Sequence, residues 1–303
     1  VDDNGGSDTS TVSISVLALN DDPLANDDSV VTNEDMPVSI GVTLNDSDVD
    51  GDSLTIDSVS SPDYGVVMID SDDFVTYTPE SNFVGLDTFE YSVSDRNGGS
   101  SNAIVTIVVG GINDVPVAVN DDVETDEDVA ITILVLENDF DVDGDVLSLV
   151  SVRQGTHGTV TNNGTSITYL SEPNFNGYDE FTYTVSDSFG GTAIATVTVF
   201  VHSVNDEPFA NDDNISTEQD TEVVIDLLAN DSDVEGDHLT IESVTDGANG
   251  SVVNNGSDVT YSPDIGFSGI DSFTYFLNDG LATSSATVTV TVVEASGGDV
   301  PDA

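Results

Sequence analysis

Four aspartates, Asp46, Asp48, Asp50 and Asp52, stand at alternate positions in the stretch NDSDVDGD, Asn45 to Asp52. The same spacing returns at Asp139, Asp141, Asp143 and Asp145, and again at Asp231, Asp233, Glu235 and Asp237. Two carboxylates about 5 Å apart repel by roughly 3 kcal/mol at an effective dielectric near 20. Four in one loop would cost several kcal/mol, comparable to the whole stability of a domain. A hard divalent cation reverses that sign. Calcium takes about six to eight oxygen ligands, and D-x-D-x-D-G lets a short backbone wrap such an ion. Magnesium is disfavoured by the number of carboxylates. Zinc is disfavoured by the absence of cysteine and of any histidine that keeps phase with the loops. A turn-rich acidic surface would also use Asp and Gly, but the alternation and the glycine hold in all three loops, which favours calcium.

The pattern resembles the first half of an EF-hand loop without completing it. The twelfth position is Asp57, Val150 and Glu242 in the three copies, each inside an expected strand. The remaining ligands must come from outside the loop, so the elements that surround it matter. Self-similarity supplies them. LNDSDVDGDSLTI, ENDFDVDGDVLSL and ANDSDVEGDHLTI recur with a period of about 92 residues. The stretches beginning at Thr76, Thr168 and Thr260 keep phase with them, as do the NDxP segments at Asn20, Asn113 and Asn205. Units of 21–112, 113–204 and 205–296 follow. Residues 1–20 align with the last strand of a preceding unit and 297–303 with the start of the next linker, as expected of an array cut from a longer chain.

Within one unit the apolar residues are β-branched and alternate over short runs between turn residues, the signature of strands. Seven are expected in the first unit: Ala25–Thr32, Val38–Leu44, Ser53–Ser60, Gly65–Asp70, Phe74–Pro79, Thr88–Ser94 and Asn102–Val109. NNG at Asn162 and Asn254 marks tight turns with two central residues at positive φ. The chain is therefore read as all-β, a row of seven-stranded Greek-key β-sandwiches arranged end to end. Asp87, Tyr91 and Val93 carry the D-x-x-x-Y-x-C spacing of immunoglobulin-like domains with Val in place of Cys. This predicts a tyrosine corner there, at Tyr183 and at Tyr275. In such a topology the acidic loop lies where the chain enters, beside Asn20 and Asp21 and the SDRNGG loop. Glu34 and Asp35, with Glu80, Asn82 and Asp87, lie at the opposite pole, facing Asn113 and Asp114.

Composition narrows the partners. The chain of 303 residues has two basic side chains and a formal net charge of -57, which excludes nucleic acid phosphate and anionic membrane surfaces as charge partners. Cationic partners remain. There is no cysteine to cross-brace the fold. No apolar run approaches the roughly 20 residues that span a bilayer. A hydrophobic content of 37% is enough for packed cores. His157, His202 and His238 fall at different phases of the repeat and so are not one catalytic or ligand position used three times. The phased Phe and Tyr residues alternate in strand register and read as core. No nucleophile elbow, phosphate loop or metalloprotease motif occurs, and no enzyme activity is expected.

The succession NDxP, DxDxDGD, NFxGxDxFxYxVSD and GG resembles bacterial cadherin-like tandem repeats of the VCBS type, found in very large RTX adhesins and other surface proteins. The resemblance covers essentially the whole chain. It implies calcium between successive domains, held by a Glu near the base of the first strand pair, the loop between the fifth and sixth strands, the acidic linker and an Asp-x-Asp of the following domain. Residue by residue this falls on Glu127 or Asp128, Asn205 and Asp206, and Asp231 with Asp233. For the junction before, it falls on Glu34 or Asp35, Asn113 and Asp114, and Asp139 with Asp141. The third unit departs, with Glu235 replacing an Asp and Gln219 splitting the Glu218–Asp220 pair, so weaker sites are expected there. The resemblance further implies extender repeats of an extracellular bacterial adhesin, stiffened by calcium and partnered chiefly by their own neighbours. Carbohydrate binding and homophilic association between arrays are the alternatives.

Overall fold

The computed structural model describes residues 3–5, 7–70 and 74–295. The expected start of a next linker at 297–303 lies outside them. The first repeat contains β1 (Asp28–Asn33), β2 (Val38–Ile40), β3 (Thr55–Val59), β4 (Gly65–Ile69), β5 (Val75–Pro79), β6 (Gly85–Ser94) and β7 (Ser100–Gly110). Along β6 the inward positions Asp87, Phe89, Tyr91 and Val93 are buried. Leu86 on the opposite face is 65% exposed, the two-residue alternation of a half-buried strand. One sheet runs β1–β7–β6–β3 and the other β2–β5–β4. β1 lies parallel to β7, with Val30 opposite Ile107, while β6 and β7 run antiparallel with Tyr91 opposite Ala103. Tyr77, Phe89, Tyr91, Val105 and Ile107 fill the space between the sheets. A buried tyrosine removes on the order of 150–250 Å² from water, worth roughly 4 kcal/mol or more of apolar burial, so these rings anchor each core.

The other repeats reproduce the plan. The second has β8 (Asp121–Asp126), β9 (Ile131–Ile133), β10 (Ser148–Arg153), β11 (Gly158–Asn162), β12 (Ile167–Ser171), β13 (Gly177–Ser186) and β14 (Thr192–His202). The third has β15 (Asp213–Glu218), β16 (Val223–Ile225), β17 (Thr240–Val244), β18 (Gly250–Asn254), β19 (Val259–Pro263), β20 (Gly269–Asn278) and β21 (Thr283–Val293). The chain is thus all-β, three tandem sandwiches of two sheets each. Among the described residues no helix is long and apolar enough to cross a membrane.

The chain divides into two compact units. The first takes in the chain up to Pro116 with Phe140–Val146 and Asp187–Gly191. The second takes in Val117–Asp139, Leu147–Ser186 and the chain from Thr192 onward. Two loops of the second repeat, the acidic one and the one that follows β13, therefore pack with the first repeat and the linker.

Four local expectations are corrected. β2 stops at Ile40 because the chain turns, with Leu44 N donating to Gly41 O at 3.2 Å; in the third repeat that turn is a 3-10 segment, Leu227–Asn230. The NNG turn after β11 closes through Asn163 N to Ser166 O at 2.9 Å, but only Gly164 has positive φ. No tyrosine corner forms: the Tyr91 hydroxyl reaches across the sandwich to Val42 O at 3.0 Å and Asn26 O at 2.9 Å. Within 1–20, expected to carry the last strand of a preceding unit, Thr11–Val16 makes no strand and Val12, Ile14 and Val16 stand exposed.

Candidate metal centre

The acidic loop folds on its own second aspartate. Asp48 Oδ1 accepts from Asp50 N at 2.8 Å, Asp141 Oδ1 from Asp143 N at 2.9 Å, and Asp233 Oδ1 from Asp237 N at 2.9 Å. These are side-chain-to-backbone turns of the kind Asp favours. The glycines Gly51, Gly144 and Gly236 close the loop at φ near +80°, where a Cβ would be strained. In each loop the other oxygen of that aspartate, Asp48 Oδ2, Asp141 Oδ2 or Asp233 Oδ2, is buried with no hydrogen-bond partner. The third acid catches the linker: Asp50 Oδ2 accepts from Asp21 N at 2.8 Å, Asp143 Oδ2 from Asp114 N at 2.8 Å, and Glu235 Oε2 from Asp206 N at 3.2 Å.

A second carboxylate, just after β6, β13 and β20, locks the same linker and escaped the sequence reading. Asp187 is 1% exposed, and its Oδ1 accepts from the backbone N of Phe189, Gly190 and Gly191 at 2.7 to 3.0 Å. Its Oδ2 accepts from Asn113 Nδ2 at 2.8 Å. Asp95 does the same for Asn20 at 2.6 Å, and Asp279 for Asn205 at 3.0 Å. The Asn113 donor, followed by those backbone N–H groups, holds the Asp187 carboxyl below the usual carboxylate range. A Cβ on Gly191 would collide with Asp187, which accounts for the second glycine of the GG pair. The signal was present in the sequence as the Asp that closes VSD, VSD and LND at the same phase.

From the other side comes a buried glutamate. Glu34 is 1% exposed and its Oε1 accepts from Ile112 N at 2.7 Å; Glu127 is 4% exposed and its Oε1 accepts from Val204 N at 2.6 Å. The carboxylates of Glu34, Asp114 and Asp143 converge, with one oxygen from each within 4.8 Å of the others. So do Asp141, Asp143 and Asp145, and Asp48, Asp52 and Asp95. Asp114 Oδ2 and Asp141 Oδ2 are left buried and unpartnered near the first of these centres. In the other compact unit Glu127 Oε2, Asn205 Oδ1, Asp206 Oδ2 and Asp233 Oδ2 are left so. Burial, then the charges of Asp141, Asp143 and Asp187, pushes the Asp145 carboxyl up. A buried acceptor without a donor costs about 1–3 kcal/mol, more when charged. The donor set is carboxylate and carboxamide oxygen throughout, and it fits a hard divalent cation.

The structure sorts the predicted residues. Glu34 and Asp35, like Glu127 and Asp128, are placed differently. Glu34 joins Asp114 and Asp143 and Glu127 leaves its Oε2 buried without a partner, while Asp35 and Asp128 sit in left-handed turns and accept from Asn82 N and Asn174 N, each at 3.4 Å. Glu218 is the exposed last residue of β15, in the register of Asn33 and Asp126, and Gln219 stands at the position of Glu34 and Glu127; the linker expected to face it lies outside the described residues. Asp46, Asp139 and Asp231 also stand apart from the converging groups. They turn inward, where Asp139 accepts from Val119 N at 2.7 Å and from the Tyr183 hydroxyl at 3.1 Å. Asp46 meets Tyr91, and Asp231 meets Tyr275, in the same way. Each faces a second carboxylate, and burial followed by Asp231 raises Asp213 to about 6. Asp237 provides the N–H that folds its loop.

Residues 20–108, 113–200 and 205–291 match the family described as Bacterial Ig domain. The curated protein GAMETE EXPRESSED 2 of Arabidopsis thaliana is 40% identical over 86 residues, 28% of this chain and 9% of its own length. Among solved structures, mouse cadherin-23 EC22-24 has a TM-score of 0.54 at 20% identity, covering 91% of this chain and 100% of that one. An endo-fucoidan hydrolase from glycoside hydrolase family 107 has a TM-score of 0.29 at 21% identity, covering 88% of this chain and 43% of that one, too low to carry an argument.

Proposed function

This chain belongs to the bacterial Ig domain family as three consecutive repeats, and from that premise we propose that it is a calcium-stiffened extender segment of an extracellular bacterial adhesin. The observation that carries the reading is the set of buried carboxylate oxygens with no donor, Asp114 Oδ2 and Asp141 Oδ2 in one centre and Glu127 Oε2, Asp206 Oδ2 and Asp233 Oδ2 in another. Glu34, Asp114, Asp141, Asp143 and Asp145 would hold calcium in the first. Glu127, Asn205, Asp206, Asp233, Glu235 and Asp237 would hold it in the second, and Asp21, Asp48, Asp50 and Asp52 in the loop that opens the first repeat. Bound there, the cation neutralises the acid and ties a glutamate of one repeat, the linker and the entry loop of the next to a single point.

Repeat units of 21–112, 113–204 and 205–296, with 1–20 as the end of a preceding unit, are part of this proposal. Calcium modules of extracellular proteins bind at about 0.1 to 1 mM, affinities that are filled outside a cell and empty within it. The principal partners are then the neighbouring repeats of the same chain, and the segment acts as a spacer with no catalytic step. Small-angle scattering in calcium and in EGTA tests it. The spacer predicts an extended particle in calcium that becomes flexible on chelation, and identical profiles would overturn it.

A further inference from the structure

The outer face of the second repeat carries something its siblings lack. β13, β14 and β8 lie side by side, so Tyr178, Phe200 and Glu124 form one cross-strand row and Glu180, Thr198 and Asp122 the next. Tyr178 is 70% exposed. Its ring meets Phe200 at 4.8 Å with the planes tilted by 50°, which leaves an open notch rather than a flat platform. His202 packs edge-on against Phe200 at 4.8 Å and sets its Nε2 3.0 Å from Glu124 Oε2, fixing that carboxylate beside the rings. Asp122, Glu124, Tyr178, Thr198 and Phe200 line a shallow cavity of about 260 Å³.

The same register positions hold Leu86, Val108 and Val31 in the first repeat and Ile270, Thr291 and Ser216 in the third. The sandwich therefore folds with aliphatic or small residues there, and the aromatic pair is not a demand of the fold. We propose that this notch receives one lysine or arginine side chain from a basic segment of another protein. Ring faces attract a cation held within about 6 Å, and Asp122 and Glu124 flank the rings with negative charge. The choice of occupant follows from charge. An anionic ligand meets a chain of net charge -57, and a second copy has two basic residues to offer. A neutral sugar gains nothing from the charge of Asp122 and Glu124, and titration separates it from a basic peptide.

Fluorotyrosine labelling of the full chain gives a site-specific test. Of its eight tyrosines, six are fully buried, and Tyr64, 47% exposed in the first repeat, serves as the control for Tyr178. With calcium present throughout, titration with a lysine tripeptide amide is expected to shift the Tyr178 fluorine signal saturably and leave that of Tyr64 in place. Peptide affinity by anisotropy is expected to fall about tenfold or more in Tyr178→Leu and in Glu124→Gln. Tyr178→Leu, which installs the first repeat's own residue, should keep its melting profile. Equal responses of Tyr64 and Tyr178 would reduce the effect to diffuse attraction and overturn the proposal. A Tyr178 shift with maltotriose but not with the peptide would also overturn it, in favour of a sugar site.

Discussion

Asp179 and Asp141 are both acids of the second repeat with oxygens turned away from solvent, and they have opposite fates. Every oxygen of Asp179 is occupied. Oδ1 accepts from Thr156 N at 2.8 Å and Glu180 N at 3.0 Å, and Oδ2 from His157 N at 3.1 Å and the Tyr169 hydroxyl at 3.0 Å. Asp141 spends Oδ1 on its own loop and leaves Oδ2 buried with nothing to accept. Asp179 is complete without a ligand and belongs to the architecture. Asp141 is incomplete, because its Oδ2 lacks a partner, and the proposed cation would supply one. In a chain with 59 acidic residues an oxygen without a donor is not by itself the mark of a site, since Asp28, Asp121 and Asp213 Oδ2 share that state; what distinguishes Asp141 is that it also converges with Asp143 and Asp145.

The comparison breaks most visibly at Asp179. Asp179→Ala strands three backbone N–H groups and a tyrosine hydroxyl, at about 1–3 kcal/mol for each that stays dry, so roughly 4 kcal/mol or more in total. Calorimetry should show the second repeat melting about 15 °C or more lower, by the same amount in calcium and in EGTA. A calcium-dependent loss would erase the distinction.

Asp141→Asn should behave the other way. If a centre binds calcium at about 0.1 mM, then 10 mM calcium stabilises it by roughly 2.7 kcal/mol, and the variant forfeits most of that in calcium. In EGTA its melting temperature should hold or rise slightly, since a charge beside Asp143 and Asp145 is gone. An equal fall in both buffers would make Asp141 another Asp179.

The smallest effect concerns pH and sharpens the contrast in chelator. Asp213, raised to about 6, is ionised at neutral pH against its burial and against Asp231. Its protonated form is favoured by the fold, so its penalty is full above pH 6 and is relieved as pH falls from 6 toward 4. Asp187 and Asp279, held low by their hydrogen bonds, stabilise above pH 4 and lose that contribution only in more acid solution. In EGTA the third repeat should therefore gain stability between pH 7 and 5, and Asp213→Asn should flatten the gain. A steady loss over that range would contradict the assignment.

The strands were legible because a two-residue period, seen three times, admits one fold class, and the acidic loop was legible as a turn because its alternating acids and closing glycine recur in all three copies. Finer placement depended on register. Glu34 and Asp35 are adjacent, and only the pairing of Glu34 N with Gly110 O shows which side chain turns into the centre; the same pairing moves the third repeat's position from Glu218 to Gln219. Asp46 and Asp48 look equivalent in sequence, yet a hydroxyl brought from Tyr91, 45 residues away, takes the first of them inward. Asp187 went unread because three of its four donors are backbone groups without identity. Tyr178 was hidden among aromatics, although its strand parity, opposite to Phe181 and Tyr183, already placed it outside.

The most direct test is an anomalous difference map from crystals grown in ample calcium. The account predicts peaks within coordination distance of Asp114 Oδ2 and Asp141 Oδ2, and of Glu127 Oε2 and Asp206 Oδ2. Well-ordered carboxylates there with only water between them would contradict it.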